Sequence, residues 1–438
     1  MATATTIKLS IADTGVFSTG VRADSAEVAS EVLQDDLRKH HIYFNEERFH
    51  NHIVHHVLSL FALGAPPEAI RAAYERGSSY QRPVYPVDEG VVNTIIEKHQ
   101  FQDYLGKEEH YSNFLVFFQR ELDAKGVEAV LNEHLFAGDD HAEDLLVRMF
   151  AGFLHPLIHL GFGIEFNQPA IVAEALAQAA THDRWIGDYL LPAEKASAGV
   201  GSRGTKTLVQ LLDEVRQDST LAQSVHWSDG NKIRDGIMKR GPNEMVKYAS
   251  QYTVSEDQLE EKLAEMINAV VYSTVTAQHP PKEIKFDFFL MHCVNTSIFY
   301  PAFLSRPWIS SRTKVRLLEW KGRMDLAMYV SRGVPKLLLE EVTNYPATKD
   351  WGAIFHNSVL HPRDDGHVAK MVRAVANGER VCKPFEGQGK EKGFVIHGDM
   401  WLKIGNMIID SVSRPGPLWV RSTGFDEAWA GFEDRPHL

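Results

Sequence analysis

Apolar side chains recur every three to four positions through most of the chain, a period that predicts helices rather than strands. Over residues 45–63 the apolar positions are Phe49, Ile53, Val57, Leu60 and Phe61. Gly64, followed by Pro66 and Pro67, ends that helix, as a C-terminal glycine and a following proline do. Pro67 opens another, to about Arg76. The same pattern predicts helices over 113–122, 126–135, 142–161, 170–180, 208–216, 258–277, 314–331, 367–376 and 399–413. The stretch 142–161 is apolar enough to be buried on most sides. Residues 1–28 read as irregular or partly extended, and helical patterning begins at Ala29. Period-two alternation is scarce; 336–341 and 394–397 are the candidate strands. The expectation is a mainly α fold, one large helical domain over 1–438 with few short β-strands. An Ala-, Ser- and Gly-rich stretch at about 194–206 is expected to be a flexible loop, and 380–393 a second polar loop.

Composition narrows the functional classes. The chain has 438 residues, 44% hydrophobic and 24% charged, an ordinary globular balance. Its net charge of -12 argues against nucleic-acid binding, which needs a basic surface. Two cysteines, Cys293 and Cys382, give no disulfide framework and point to a reducing compartment, so a cytoplasmic location is expected. The N-terminal residues have no basic start followed by an apolar core, and no run reaches the ~18 apolar residues of a membrane span. Neither secretion nor a membrane partner is expected.

The 21 histidines change the picture because several cluster. In His50-Asn51-His52-Ile53-Val54-His55-His56, His52 and His56 are spaced i, i+4. On a helix that spacing puts two imidazoles on one face, ~5–6 Å apart at Cβ, where they can grip one ion. His55 lies ~100° away and is expected to point elsewhere. His155-Pro156-Leu157-Ile158-His159 repeats the spacing in apolar surroundings, where buried imidazoles need a metal or polar partners. His292 sits in a Phe-rich run, and a core histidine is the bland reading. In Gly366-His367-Val368-Ala369-Lys370, His367 and Lys370 share a helix side. A protonated lysine has no lone pair, but a desolvated neutral amine can take up carbon dioxide and bind a metal through the carbamate oxygens. His397-Gly398-Asp399 and His141-Ala142-Glu143 have the form of two-histidine-one-carboxylate sites but recur often by chance. Gly199-Val200-Gly201-Ser202-Arg203-Gly204 matches G-x-G-x-x-G without the preceding strand that dinucleotide binding requires, and reads as a loop.

At these motifs, over roughly 35–413, the sequence resembles the questin oxidase-like family of fungal secondary metabolism. The residues that carry the resemblance are 51–58, 62–65, 155–166, His292 in its Phe-rich run and 366–373. It implies a helical oxygenase that opens anthraquinone rings in polyketide pathways, taking an aromatic polyketide and dioxygen. Some members are described as Baeyer–Villiger-type oxidases; others resemble a non-heme iron dioxygenase whose metal is held by four histidines and a carboxylated lysine. Carried over, that ligand set is His56, His159, His292, His367 and Lys370, with either member of each i, i+4 pair eligible. His52 and His155 are then candidate general bases toward a phenol. Fe(2+) is the expected cofactor. The alternative is an NADPH-assisted Baeyer–Villiger-type oxidase; a metal-dependent non-redox enzyme and a catalytically silent helical binding protein are further readings.

Overall fold

The computed structural model describes residues 1–199 and 206–435. It is mainly α. Among the described residues β-pairing is confined to isolated bridges such as Tyr43 with His50. Neither candidate strand forms. Residues 340–343 are helical, and 394–397 is a loop held by a side chain instead of a neighbouring strand. There Asn268 Oδ1 accepts from Val395 N and Ile396 N at 2.8 and 3.0 Å, and Asn268 Nδ2 donates to Ile396 O at 2.7 Å. The expected loop at 194–206 is helical at its start, in Gly187–Ser197; residues 200–205, and with them most of the G-x-G-x-x-G match, lie outside the described residues.

Contacts group the chain into two units. One comprises Met1–Ile186, Pro301–Ile309 and Ser358–Arg373; the other comprises Gly187–Tyr300, Ser310–Asn357 and Ala374–Leu438. Neither is a continuous stretch, so no single linker divides the sequence.

In the first unit the Ala151–Glu165 and Pro169–Thr181 helices pack face to face, with Tyr111–Leu131 on the second of them. Ala23–Lys39, Ile53–Ala62 and Pro67–Ser78 form a second group, and Ile53–Ala62 also touches Ala151–Glu165. Two expected helices break, and both breaks matter for the site. Residues 45–52 are not helical, because Asn51 Oδ1 accepts from Ile53 N at 2.9 Å, an Asx turn that competes with helix and starts it late. The stretch 142–161 turns by 96° between Asp140–Met149 and Ala151–Glu165. Gly152, Phe153 and Leu154 all have positive φ (54°, 56° and 71°), and Pro156, which lacks an N–H, falls in the first turn after the bend, where none is needed. No single described helix is long and apolar enough to cross a membrane.

A buried ion pair ties the start of the chain into this unit. Arg373 Nη1 donates to Glu165 Oε2 at 3.1 Å, and Arg373 Nη2 makes a second bond to Glu165 Oε1. Glu165 Oε1 also accepts from Val16 N at 2.7 Å, while Arg373 Nε donates to Phe17 O at 2.8 Å. Removing one partner strands the other charge in the interior. Arg373→Met is expected to cost about 3–5 kcal/mol of stability in urea unfolding, and adding Glu165→Leu to recover most of it. A loss below 1 kcal/mol in the single variant would refute this account.

In the second unit Leu259–Val275 packs on Phe288–Ser297 and on Ser311–Ser331. Asp287 fixes the start of Phe288–Ser297: Oδ1 accepts from Phe289 N and Leu290 N at 2.8 and 3.0 Å, and Oδ2 from Ser422 N and Thr423 N, both at 2.8 Å. Both cysteines are buried thiols.

Candidate metal centre

The late helix start decides where the first histidine cluster points. His52 precedes the helix and its Nδ1–H donates to His50 O at 2.7 Å. His55, expected to point elsewhere, turns toward the second cluster: its ring lies 5.4 Å from His159 and stacks at 5.2 Å on Phe162. The bend at Gly152 places the second cluster. His155 Nδ1–H donates to Gly152 O at 2.6 Å. Glycine is required at 152, because a Cβ there would lie 2.5 Å from His182 Cε1 and 3.0 Å from His50 Nε2. Those two imidazoles bond to each other at 2.9 Å, and His50 stacks on His155 at 3.9 Å. Neither His50 nor His182 was singled out in the sequence. The third ring, His367, opens the helix His367–Cys382, and its Nδ1–H donates to Asp365 Oδ1 at 2.6 Å.

These bonds fix the tautomers. A ring that donates through Nδ1 carries its lone pair on Nε2 when neutral. His52, His155 and His367 all do so, and their candidate ligand atoms lie within 4.8 Å of one another. His52 Nε2 and His155 Nε2 approach to 3.0 Å. Two lone pairs at that distance repel unless a cation lies against them. Outer donors to carbonyl and carboxylate oxygens are the support that metal-ligating imidazoles characteristically have. Burial, then the neighbouring imidazole of His367, pushes His52 well below its ordinary pKa; His55 is pushed down by burial and then by Lys370. Rings in this state stay neutral at physiological pH, as ligation requires.

Lys370 is 1% exposed and donates through Nζ to His55 Nδ1 at 3.2 Å. Burial lowers its pKa to about 7, against the opposing pull of Asp365 and Asp364. The buried Nε2 of His55 and Nδ1 of His159 have no hydrogen-bond partner.

The other members of the pairs face carboxylates. His56 Nε2 lies 3.6 Å from Asp364 Oδ2, and His159 Nε2 3.4 Å from Glu174 Oε2. Asp364 is engaged elsewhere as well, accepting from Gly366 N, Val368 N and Ala369 N at 2.9–3.0 Å. In the second unit His292 repeats the tautomer of the three: its Nδ1–H donates to Phe288 O at 2.6 Å, leaving the lone pair on Nε2.

The first unit therefore builds a buried, histidine-rich site able to hold a metal ion on a helical scaffold. The questin oxidase-like family profile matches residues 49–375. The "Baeyer-Villiger oxidase ptaJ" of Pestalotiopsis fici is 42% identical over 413 residues, covering 92% of this chain and 93% of the relative. The "Questin oxidase" of Aspergillus terreus is 40% identical, covering 98% of each, and the "Baeyer-Villiger monooxygenase dmxR6" of a Cryptosporiopsis species is 38% identical, covering 93% and 94%. The chain belongs to the questin oxidase-like family, and it is an oxidoreductase of the oxygenase kind.

Proposed function

We propose that this protein is a non-heme iron dioxygenase that cleaves a carbon–carbon bond of an anthraquinone-type polyketide. One observation carries the reading: the 3.0 Å approach of His52 Nε2 and His155 Nε2 while both Nδ1 atoms are committed as donors. That donor set, imidazole nitrogens with an anionic oxygen from a carbamate on Lys370, suits iron(II). The committed Nδ1 donors favour His52 and His155 as the ligands within their pairs, with His367; His292 is added as the fourth imidazole on the family resemblance alone. His56 and His159, the alternative members of the pairs, then keep their carboxylate partners, and His56 is the histidine left to take a phenol proton. Bound iron would supply the one-electron route by which triplet dioxygen reacts with a singlet organic molecule. Asp365, Gly152 O and His50 O hold the rings so that their Nε2 lone pairs converge.

The test is metal content of the protein purified without added metal or chelator, with oxygen uptake on a hydroxylated anthraquinone. About one iron per chain, lost in His52→Ala and His292→Ala and kept in His56→Ala, is expected, with ring opening that needs no nicotinamide. A protein without bound metal would sink the reading. The names of the relatives favour a second reading, a Baeyer–Villiger-type oxidase; with NADPH as its reductant, strict dependence of turnover on NADPH would select it.

A further inference from the structure

The first unit has a cleft of about 160 Å³, lined among others by His52, His56, Arg76, Tyr80, Arg363 and Asp365. His52 is the partly exposed member of the three converging histidines; His155 and His367 are buried. The cleft is thus where the centre meets solvent. It is too small for a whole polycyclic ligand, since pockets that enclose molecules of that size run ~300–1,000 Å³. Its lip extends it. Tyr80 stands edge-on to Phe44 at 5.1 Å, and Phe44 to Phe49 at 5.9 Å. Tyr80 and Phe49 are 46% and 47% exposed, so two large aromatic faces beside a buried polar centre are left to water.

We propose that this cleft and its Phe44–Phe49–Tyr80 lip form the substrate mouth, taking a planar, polycyclic phenol. One ring edge enters toward His52 while the remaining rings lie on the aromatic lip. The cleft wall carries the guanidinium groups of Arg76 and Arg363 and the carboxylates of Asp364 and Asp365, so it offers a phenol hydroxyl polar partners that a neutral hydrocarbon could not use. The inference deepens the proposed function and rests on its substrate class, but the lip binds through stacking and does not depend on which metal is bound.

The experiment is direct binding of 1,8-dihydroxyanthraquinone, followed by tryptophan fluorescence quenching and by calorimetry, on the full chain as purified. Tyr80→Ala combined with Phe49→Ala is expected to weaken binding roughly tenfold, the combined effect of losing two aromatic contacts. Tyr80→Phe should bind as the parent does. Trp227→Ala, which removes an exposed aromatic of the second unit, should change nothing. The lip residues are half exposed, so their truncation leaves the fold intact; metal content and the far-ultraviolet spectrum check this. Equal binding by the parent and the double variant would overturn the mouth alone. No binding by the parent would overturn the substrate class and the mouth with it.

Discussion

A His155→Ala protein is expected to fold, to lose its metal and to consume oxygen more than ~100-fold more slowly. That loss exceeds the ~10–100-fold typical of deleting an outer-shell partner of a ligating histidine. The expectation follows from position. His155 is stacked on one side by His50 and held by Gly152 O, and its Nε2 is the atom opposed to that of His52. Asp365→Asn gives the smaller step. Its side chain still accepts from His367 Nδ1 but loses its charge, so metal affinity should fall by ~10–100-fold while a saturating metal concentration restores turnover. Plasma mass spectrometry of the dialysed proteins and an oxygen electrode read both quantities. A His155→Ala protein with its full metal complement would move the ligand role to His159, whose Nδ1 is the other buried lone-pair candidate on the same helix.

Much of this site could be read in the sequence, and the parts that could not share a cause. The helices at 67–76, 170–180, 208–216 and 314–331 form within a few residues of expectation, because amphipathic period and end signals are local properties. The i, i+4 spacing puts two rings on one face only where 45–63 and 142–161 run as unbroken helices. Asn51 moves the first helix start past His52, and the three left-handed residues at 152–154 turn the second stretch through a bend. Both departures reassign which ring faces which. Asn51 is a turn former two residues before an apolar helix start, and Gly152 lies four residues before a proline; these were the local signals available. His50 and His182 carried none, since their role depends on the fold bringing residue 182 beside residue 50.

Lys370 is the residue whose replacement separates the proposed chemistry from ordinary packing. Lys370→Met keeps the volume and removes a buried amine, so stability should hold or rise while activity falls more than ~100-fold. The lost function is assigned to a carbamate, formed when the neutral amine takes up carbon dioxide and releases one proton. Burial favours that neutral form: with its pKa lowered to about 7, Lys370 is mostly uncharged at pH 8, where a solvated lysine, titrating near 10.4, is almost wholly an ammonium. The linkage has a definite sign. Between about pH 7 and 10.4 the unfolded chain binds a proton at this position that the folded, metal-stripped chain does not. Its contribution therefore makes stability rise with pH across that window, and Lys370→Met removes that slope. Wild-type protein held free of carbon dioxide should lose turnover and regain it on adding bicarbonate, and 13C-bicarbonate should give a carbamate resonance absent from Lys370→Met. Full turnover without carbon dioxide and without that resonance would leave Lys370 as a buried donor to His55, and the anionic ligand would have to be sought among the nearby carboxylates of Asp364 and Asp365.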